Sequence, residues 1–418
     1  MGNNVPPGYK QTEVGVIPED WEVAGLGRFW SVTDCKHVTA QFVSNGFPLA
    51  SIKEVQDRFV NLENSKQTTI SYYTLLTEGG RKPKPGDLIL SRNATVGEVA
   101  QVADWHPPFA MGQDVCLLRK KTPEFSSNYL QAIFRSPIIA NQLSDLMVGS
   151  TFKRANIEQI RNFIVPMPPP TEQTAIAEAL SDADALIESL EQLIAKKRHL
   201  KQGAMQELLT GKKRLEGFKG EWEECQLRDC LLANPDYGIN AAGAPFAGKL
   251  PAYLRITDID DNGSLLKNNR VAVKHPLAMN YILSNNEIVF ARTGASVGKT
   301  YLYNKEDGLL VFAGFLIRAK IDPDKLCPTF FAAFTQTSRY WNWVRVMSMR
   351  SGQPGINGNE FASLTLSLPP SFLEQTAIAA ILSEMDAEIA ALETKLAKNR
   401  AIKQGMMHKL LTGRIRLV

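Results

Sequence analysis

Glu172-Gln173-Thr174-Ala175-Ile176-Ala177 recurs unchanged about 202 residues later as Glu374-Gln375-Thr376-Ala377-Ile378-Ala379. The offset continues without a gap as far as Leu208-Leu209-Thr210-Gly211, which matches Leu410-Leu411-Thr412-Gly413. Roughly 26 of 44 positions are identical in these two constant segments. The chain therefore contains an internal repeat, which predicts a pseudo-twofold architecture.

Each constant segment carries apolar residues in alternating steps of four and three. This stripe is typical of a coiled-coil seam, and it continues for about 38 residues, or roughly 57 Å of helix. The predicted seam residues are Ile176, Leu180, Ile187, Leu190 and Ile194 in the first segment, and Ile378, Leu382, Ile389, Leu392 and Leu396 in the second.

Charge is distributed unevenly along both predicted helices. Acidic residues lie early and basic residues late, which favours antiparallel packing but also suits the dipole of each helix taken alone. Continuing the seam places Lys197 and Asn399 at core positions. There they either fix the register of the pair or mark where the stripe turns to solvent.

The regions upstream of the constant segments, roughly 20–168 and 220–368, are variable and predict mixed α/β domains. Their landmarks stay in phase, since Trp21 matches Trp222 and Arg92 matches Arg292. We expect strands near 86–92 and 286–292, return strands near 115–119 and 314–318, and helices near 129–134 and 330–334.

Composition bounds the class of protein. The chain has 418 residues with 47 Lys plus Arg and 43 Asp plus Glu, giving a net charge of +4. No apolar run is long enough for a membrane span, and the five cysteines form no C-x-x-C pair. We expect a protein of the reducing cytoplasm without a membrane partner. Because the net charge is small, any polyanion would be bound by local basic patches.

Catalytic motifs are incomplete. His106-Pro107-Pro108-Phe109 has histidine where an amino-methyltransferase needs Asp, Asn or Ser, and Gly298-Lys299-Thr300 lacks the first glycine of a phosphate-binding loop. Cys35-Lys36-His37 and the Cys225, Cys230 pair lack a second ligand pair at zinc-like spacing. We therefore expect a non-catalytic chain with no metal and no cofactor of its own.

Polar and basic residues recur in two loops of each variable region, and they suit contacts to phosphates and base edges. The alternatives are an arginine paired to a carboxylate within its own domain and a solvated connecting loop. The predicted DNA-binding residues are Arg92, Asn93, Lys153, Arg154 and Asn156 in the first region, and Arg292, Thr293, Lys299, Arg350, Gln353 and Asn357 in the second.

The whole pattern resembles the specificity (S) subunits of type I restriction-modification systems. The motifs that carry the resemblance are a Pro-Pro pair, Glu-Gln-Thr-Ala-Ile-Ala, a long helix closing in Leu-Leu-Thr-Gly, and the entry segment 9–21. The resemblance implies an α+β chain with two mixed α/β target-recognition domains, separated by two long helices packed as an antiparallel coiled coil. The implied boundaries are 1–168 and 218–368 for the recognition domains, and 169–217 and 369–418 for the helical regions.

The resemblance also implies a function. Such a chain reads a bipartite, asymmetric site in double-stranded DNA, with one half-site per recognition domain and a spacer set by the helices. Two modification subunits bring S-adenosylmethionine for adenine methylation, and two restriction subunits bring ATP, with Mg²⁺, for translocation and cleavage. The rival interpretations are a non-catalytic coiled-coil adaptor and an autonomous DNA-binding regulator.

Overall fold

The computed structural model describes four stretches of the chain: residues 5–147, 154–246, 250–350 and 352–417. The chain folds into two compact units. The first comprises Met1–Glu191 with Lys395–Val418, and the second comprises Gln192–Thr394. No helix in these described stretches is long and apolar enough to cross a membrane.

The first unit contains short strands and helices around one central sheet. Its strands are β1 (Tyr9–Thr12), β2 (Gly15–Pro18), β3 (Glu22–Gly25), β4 (Trp30–Asp34), β5 (Phe42–Val43), β6 (Phe47–Ala50), β7 (Gln67–Thr68), β8 (Leu88–Ser91), β9 (Val99–Gln101), β10 (Ala110–Met111), β11 (Val115–Lys120) and β12 (Ile164–Met167). Its helices are α1 (Leu26–Phe29), α2 (Ile70–Thr77), α3 (Ser127–Phe134), α4 (Pro137–Met147), α5 (Ile157–Arg161) and the start of α6 (Pro170–Leu208).

The second unit repeats this plan. Its strands are β13 (Glu223–Gln226), β14 (Asp236–Tyr237), β15 (Gly243–Pro245), β16 (Ala252–Leu254), β17 (Val271–Val273), β18 (Glu287–Ala291), β19 (Thr300–Leu302), β20 (Leu310–Phe312), β21 (Leu316–Lys320) and β22 (Thr365–Leu368). Its helices are α7 (Pro328–Phe334), α8 (Ser338–Met347), α9 (Gly358–Ala362) and the start of α10 (Phe372–Leu410). Short 3₁₀ turns lie at Ile52–Val55, Leu227–Cys230, Ile256–Asp258, Ala278–Tyr281, Gly294–Ser296 and Lys305–Asp307.

Sheet order is duplicated as well. The antiparallel order β4-β11-β8-β9 of the first unit matches β14-β21-β18-β19 of the second, and the pair β12-β3 matches β13-β22. A further mixed sheet, β10-β6-β7-β5 or β15-β17-β16-β20, completes each unit. The repeat seen in the constant segments therefore extends to the topology of the variable regions.

The central strand of each main sheet is buried on both faces. In β8, Leu88 and Leu90 join the core shared with the long helices, while Ile89 joins a second core on the other face. In β18, Phe290 faces the helix side and Val289 the opposite side. Alternating side chains that fill two cores fix the register of these strands, so the loop after each strand starts from a defined position.

The long helices α6 and α10 each contain 39 residues. Of the predicted seam residues, Ile176, Leu180, Leu190, Ile194, Ile378, Leu382 and Ile389 are buried, and Ile187, Leu392 and Leu396 are half-buried. Each helix contributes to both units, because the division falls near its middle.

Ion pairs confirm that the helices pack antiparallel. In the first unit, Arg400 Nη2 of α10 lies 2.6 Å from Glu191 Oε1 of α6. In the second, Arg198 Nη2 lies 2.6 Å from Glu393 Oε1, and Lys201 Nζ lies 2.5 Å from Asp386 Oδ1. The late basic residues of one helix thus meet the early acidic residues of the other.

The two polar seam residues are half-buried rather than enclosed. Lys197 Nζ reaches Glu388 Oε1 at 2.6 Å, so it makes a contact that crosses to the other helix. Asn399 instead donates from Nδ2 to the carbonyl of Lys395 in its own helix, at 2.8 Å. The contact of Lys197 with the other helix therefore supports a role in fixing the register. Asn399 makes no such contact among the described residues, which agrees with the alternative that the apolar stripe turns towards solvent there.

Candidate nucleic-acid interface

The two recurrent loops of each variable region lie side by side. In the first unit Asn93 and Arg154 form an antiparallel bridge, and Ala155 N donates to Arg92 O at 2.9 Å. In the second unit Thr293 bridges Gly355, and Ile356 N donates to Arg292 O, again at 2.9 Å. The sequence placed these loops far apart in the chain, and the structure brings them together in the same way twice.

A recurring glycine explains how the first of these loops turns. Gly97 and Gly298 have φ of 98° and 87°, a left-handed region that favours glycine. A Cβ at Gly97 would lie 2.5 Å from Leu143 Cδ1, and one at Gly298 would lie 2.6 Å from Val344 Cγ1. Both conformation and close packing therefore require glycine, and the Val-Gly repeat is structural.

Arg92 is buried, with an exposed fraction of 3%. Its Nη2 lies 2.6 Å from Asp34 Oδ1, which makes an ion pair, but the angle between the two groups is unsuitable for a hydrogen bond. The Arg92 Nε has no hydrogen-bond partner among the described residues. Burial raises the pKa of the neighbouring Cys35 and Cys116 thiols, which therefore stay neutral. The geometry favours the alternative of an internal ion pair for Arg92.

Arg292 has a different environment. Its guanidinium carbon lies 5.0 Å from the ring centre of Tyr237, and no carboxylate of the described residues pairs with it. Strand pairing places Tyr237, rather than a carboxylate, at the position that Asp34 has in the first unit. The neighbouring Asp236 is held by Arg318 through two hydrogen bonds of 3.0 and 2.6 Å. Because an aromatic ring stands where the first unit has a carboxylate, Arg292 remains a half-buried cation at the loop surface.

Asn156 and Asn357 cap short helices. The Asn156 side chain accepts a hydrogen bond from Gln159 N at 2.8 Å, and the Gln159 side chain accepts one from Asn156 N. Asn357 and Glu360 form the same capping box at the start of α9. The recurrence of this asparagine is therefore explained by capping.

The other predicted contact residues fall into three groups. Some cations are paired locally, with Lys299 Nζ 2.7 Å from Asp261 and Arg350 Nη2 2.5 Å from Glu360. Arg154 is exposed, and its nearest carboxylate, Asp114, is 3.8 Å away. Of the rest, Gln353 is exposed, Asn93 and Thr293 are half-buried, and Lys153 lies outside the described residues.

The Glu-Gln pair of the repeated motif has a role that its sequence did not reveal. Glu172 is fully buried, where it accepts hydrogen bonds from Arg416 Nε at 2.5 Å and Trp21 Nε1 at 3.0 Å. Arg416 also binds Asp20, which holds the pKa of that carboxyl below its ordinary value. Glu374 is likewise buried and accepts two hydrogen bonds of 2.6 Å from Arg214. The signal in the sequence was the equal spacing of each Glu and Arg within the repeat.

The glutamine of the motif ties each helix to its recognition region. Gln173 Oε1 accepts from Ser126 N at 3.0 Å, and its Nε2 donates to Pro168 O at 2.9 Å. Gln375 Oε1 accepts the matching bond from Cys327 N at 2.9 Å, whereas its Nε2 donates to Lys325 O instead. The motif therefore anchors the β-rich part of each unit on the helix pair.

One cluster has metal-ligand atoms in reach of one another. Donor atoms of Asp34, Cys35 and His37 lie within 4.8 Å. The positive Arg92 guanidinium occupies the Asp34 side of this cluster, and burial keeps the Cys35 thiol protonated. Both features oppose cation binding, so the cluster is better explained as part of the Arg92 ion pair.

Two α+β units of identical sheet order, each completed by half of an antiparallel helix pair, define a duplicated recognition protein on a coiled-coil scaffold. The chain belongs to the family described as the type I restriction modification DNA specificity domain, whose sequence profile matches residues 18–196 and 252–403. Membership in the S-subunit family, predicted from the motifs, is thereby confirmed.

Specificity subunits of type I restriction enzymes are similar to this chain over nearly its whole length. The EcoKI specificity subunit of Escherichia coli K12 is 23% identical over 436 residues, covering 96% of this chain and 90% of the relative. The StySPI specificity subunit of Salmonella potsdam is 21% identical over 429 residues, with the same coverage of 96% and 90%.

A solved structure shows the same fold. The S subunit of a type I system from M. genitalium has a TM-score of 0.61 at 17% identity, and the match covers 98% of this chain and 97% of that one. The predicted α+β class with a coiled-coil region is therefore confirmed. The domain boundaries stay a prediction, because the compact units divide each long helix rather than separating helices from recognition regions.

Proposed function

We propose that this chain reads a bipartite, asymmetric target in double-stranded DNA, with one half-site per recognition unit. The observation that carries the proposal is the pair of adjoining loops after β8 and β18, built by the same backbone hydrogen bonds in both units. The side chains on these loops differ, since Arg92 is paired to Asp34 whereas Arg292 stacks on Tyr237. One backbone design with two sets of side chains suits two different half-sites.

We assign the spacing of the half-sites to the helix pair. Each helix of 39 residues is about 58 Å long at 1.5 Å per residue. At 3.4 Å per base pair this length corresponds to an upper bound of about 17 base pairs between the half-sites. Cross-helix ion pairs and a buried seam support a rigid spacer.

The chemistry belongs to partner subunits in this proposal. Two modification subunits supply S-adenosylmethionine and methylate adenine, and two restriction subunits supply ATP and Mg²⁺-dependent translocation and cleavage. The chain itself is non-catalytic and works in the cytoplasm. The buried Glu172 and Glu374 support this assignment, because each is held by an arginine in a structural role rather than exposed to a substrate.

Methylation mapping tests the proposal. The chain is co-expressed with the modification subunit encoded beside it, and methylated adenines in the host DNA are located by single-molecule sequencing. We expect a split motif with a fixed gap and two unlike halves. A folded complex that leaves DNA unmethylated, with a methyltransferase shown active beside another specificity subunit, would favour the coiled-coil adaptor. Specific DNA binding by the chain alone, without a methyltransferase partner, would favour the autonomous regulator.

A further inference from the structure

Two exposed aromatic side chains flank Arg292 in the second unit. Tyr237 is 42% exposed and Phe315 is 57% exposed, although both lie in the main sheet or its tightest turn. Large aromatic side chains are normally buried in a sheet of this kind, because each removes substantial apolar area from water. Their exposure beside a cation indicates a surface that another molecule covers.

The backbone under these side chains is held firmly. Phe315 lies in a turn closed by Leu316 N donating to Ala313 O at 2.8 Å, and its own carbonyl accepts from Arg292 N at 3.1 Å. The Tyr237 hydroxyl accepts a hydrogen bond from Gly358 N at 3.2 Å. Little conformational freedom therefore remains to be lost when a ligand binds.

Charge and amide groups complete the surface. The Arg292 guanidinium rests on the Tyr237 ring and has no ion pair among the described residues. A Cβ at Gly294 would lie 3.2 Å from Gln353 Nε2, so this exposed amide borders the same loop. Aromatic faces, one open guanidinium and an amide form a surface suited to bases and phosphates.

The matching positions of the first unit have other chemistry. Asp114 takes the place of Phe315, since its carbonyl accepts from Arg92 N at 2.9 Å just as that of Phe315 does from Arg292 N. Asp34 takes the place of Tyr237 in the strand pairing, and it forms an ion pair with Arg92. The shared fold thus tolerates a carboxylate at each of these positions, so folding alone does not require the aromatic pair.

We propose that Phe315 and Arg292 contact DNA directly in the half-site read by the second unit. Phe315 makes an apolar contact with a base, such as a thymine methyl group, and Arg292 donates to an acceptor on the neighbouring nucleotide. Tyr237 is a positioning residue that holds the guanidinium in place. This inference rests on the proposed function and names the residues that give the second half-site its sequence.

The test uses the full chain in complex with its modification subunit. Phe315→Ala should relax the methylated motif at one or two positions of one half-site, with a tenfold or greater loss of discrimination there, while the other half-site and the gap stay unchanged. Tyr237→Ala should loosen the same half-site, whereas Tyr237→Phe, which keeps the ring beneath Arg292, should retain most of the discrimination.

Leu232→Ala is the matched control. Leu232 is 65% exposed and lies at the other end of β21, where its N donates to Lys320 O at 2.9 Å. We expect it to leave the motif unchanged. An unaltered motif and rate for Phe315→Ala would overturn the inference. Weakened assembly with the modification subunit, with the remaining methylation still at the original motif, would also overturn it, because the aromatic pair would then bind protein. A wild-type chain without a split motif would instead overturn the proposed function.

Discussion

At the residue scale, the two arginines that the sequence aligns have different roles. Each follows a buried strand and precedes a Val-Gly turn, and nothing in those loops tells them apart. The difference arises on a distant strand, where Asp34 pairs with Arg92 in the first unit and Tyr237 stands at the same position beside Arg292 in the second. The loops could therefore be predicted from the sequence, but the pairing of their side chains could not, because it depends on which residues oppose one another across the sheet.

Replacing each arginine by alanine should separate these roles. We expect Arg92→Ala to lower the free energy of unfolding by about 1–3 kcal/mol, because it removes a buried side chain together with its ion pair to Asp34. Arg292→Ala should change the free energy of unfolding by less than about 0.5 kcal/mol and relax one half-site of the motif. Urea unfolding and methylation mapping measure the two effects. A stable Arg92→Ala chain with an altered motif would reverse the assignment.

The buried glutamates show why the constant motif recurs. Glu172 is fully enclosed, so removing Arg416 leaves its charge with only the Trp21 hydrogen bond. We expect Arg416→Ala to lower the free energy of unfolding by about 2 kcal/mol. Adding Glu172→Gln to that variant should restore part of the loss, because the unpaired charge is then gone.

An exposed ion pair provides the control for this measurement. Arg198→Ala removes a contact to Glu393 in which the arginine side chain is 63% exposed. Its effect should stay within about 0.5 kcal/mol. Equal losses in the Arg416 and Arg198 variants would contradict a special role for the buried glutamate.

At the element scale, long helices were predictable and short strands only in part. The heptad stripe predicted both helices, and apolar runs predicted the strands β8, β18, β11 and β21, because the side chains of these elements are buried in regular patterns. Strand order could not be derived. Strands of two to five residues carry too little pattern to specify a partner, and their neighbours lie far away in the chain.

The helix pair is testable as a spacer. Deleting residues 190–196 from α6 and residues 392–398 from α10 removes one heptad from each helix and preserves the seam. At 1.5 Å per residue the helices shorten by about 10 Å, which corresponds to about three base pairs. We expect the gap in the methylated motif to shrink accordingly, with both half-sites retained.

A deletion in one helix is the control. Removing residues 190–196 alone shifts one half of the seam against the other and misaligns the cross-helix ion pairs. That variant should lose stability rather than acquire a new gap. A gap that stays unchanged when both heptads are deleted would rule out the helix pair as the spacer.

At the scale of the whole molecule, the repeat is the dominant feature. The constant segments revealed it in the sequence, and the sheet orders extend it into regions whose sequences have diverged. An anchoring contact repeats too, because Gln173 and Gln375 each accept a hydrogen bond from the backbone N–H of the residue immediately before a helix. The recognition regions are therefore expected to be interchangeable on the scaffold.

The most direct test exploits that interchangeability. Residues 222–368 are replaced by a copy of residues 21–167, so that both helices carry the first recognition region, and the methylated motif is mapped in complex with the modification subunit. We predict a palindromic motif in which the first half-site appears twice in inverted orientation around the original gap. An assembled, methylating complex that still modifies the original asymmetric motif would contradict the claim that each unit reads one half-site.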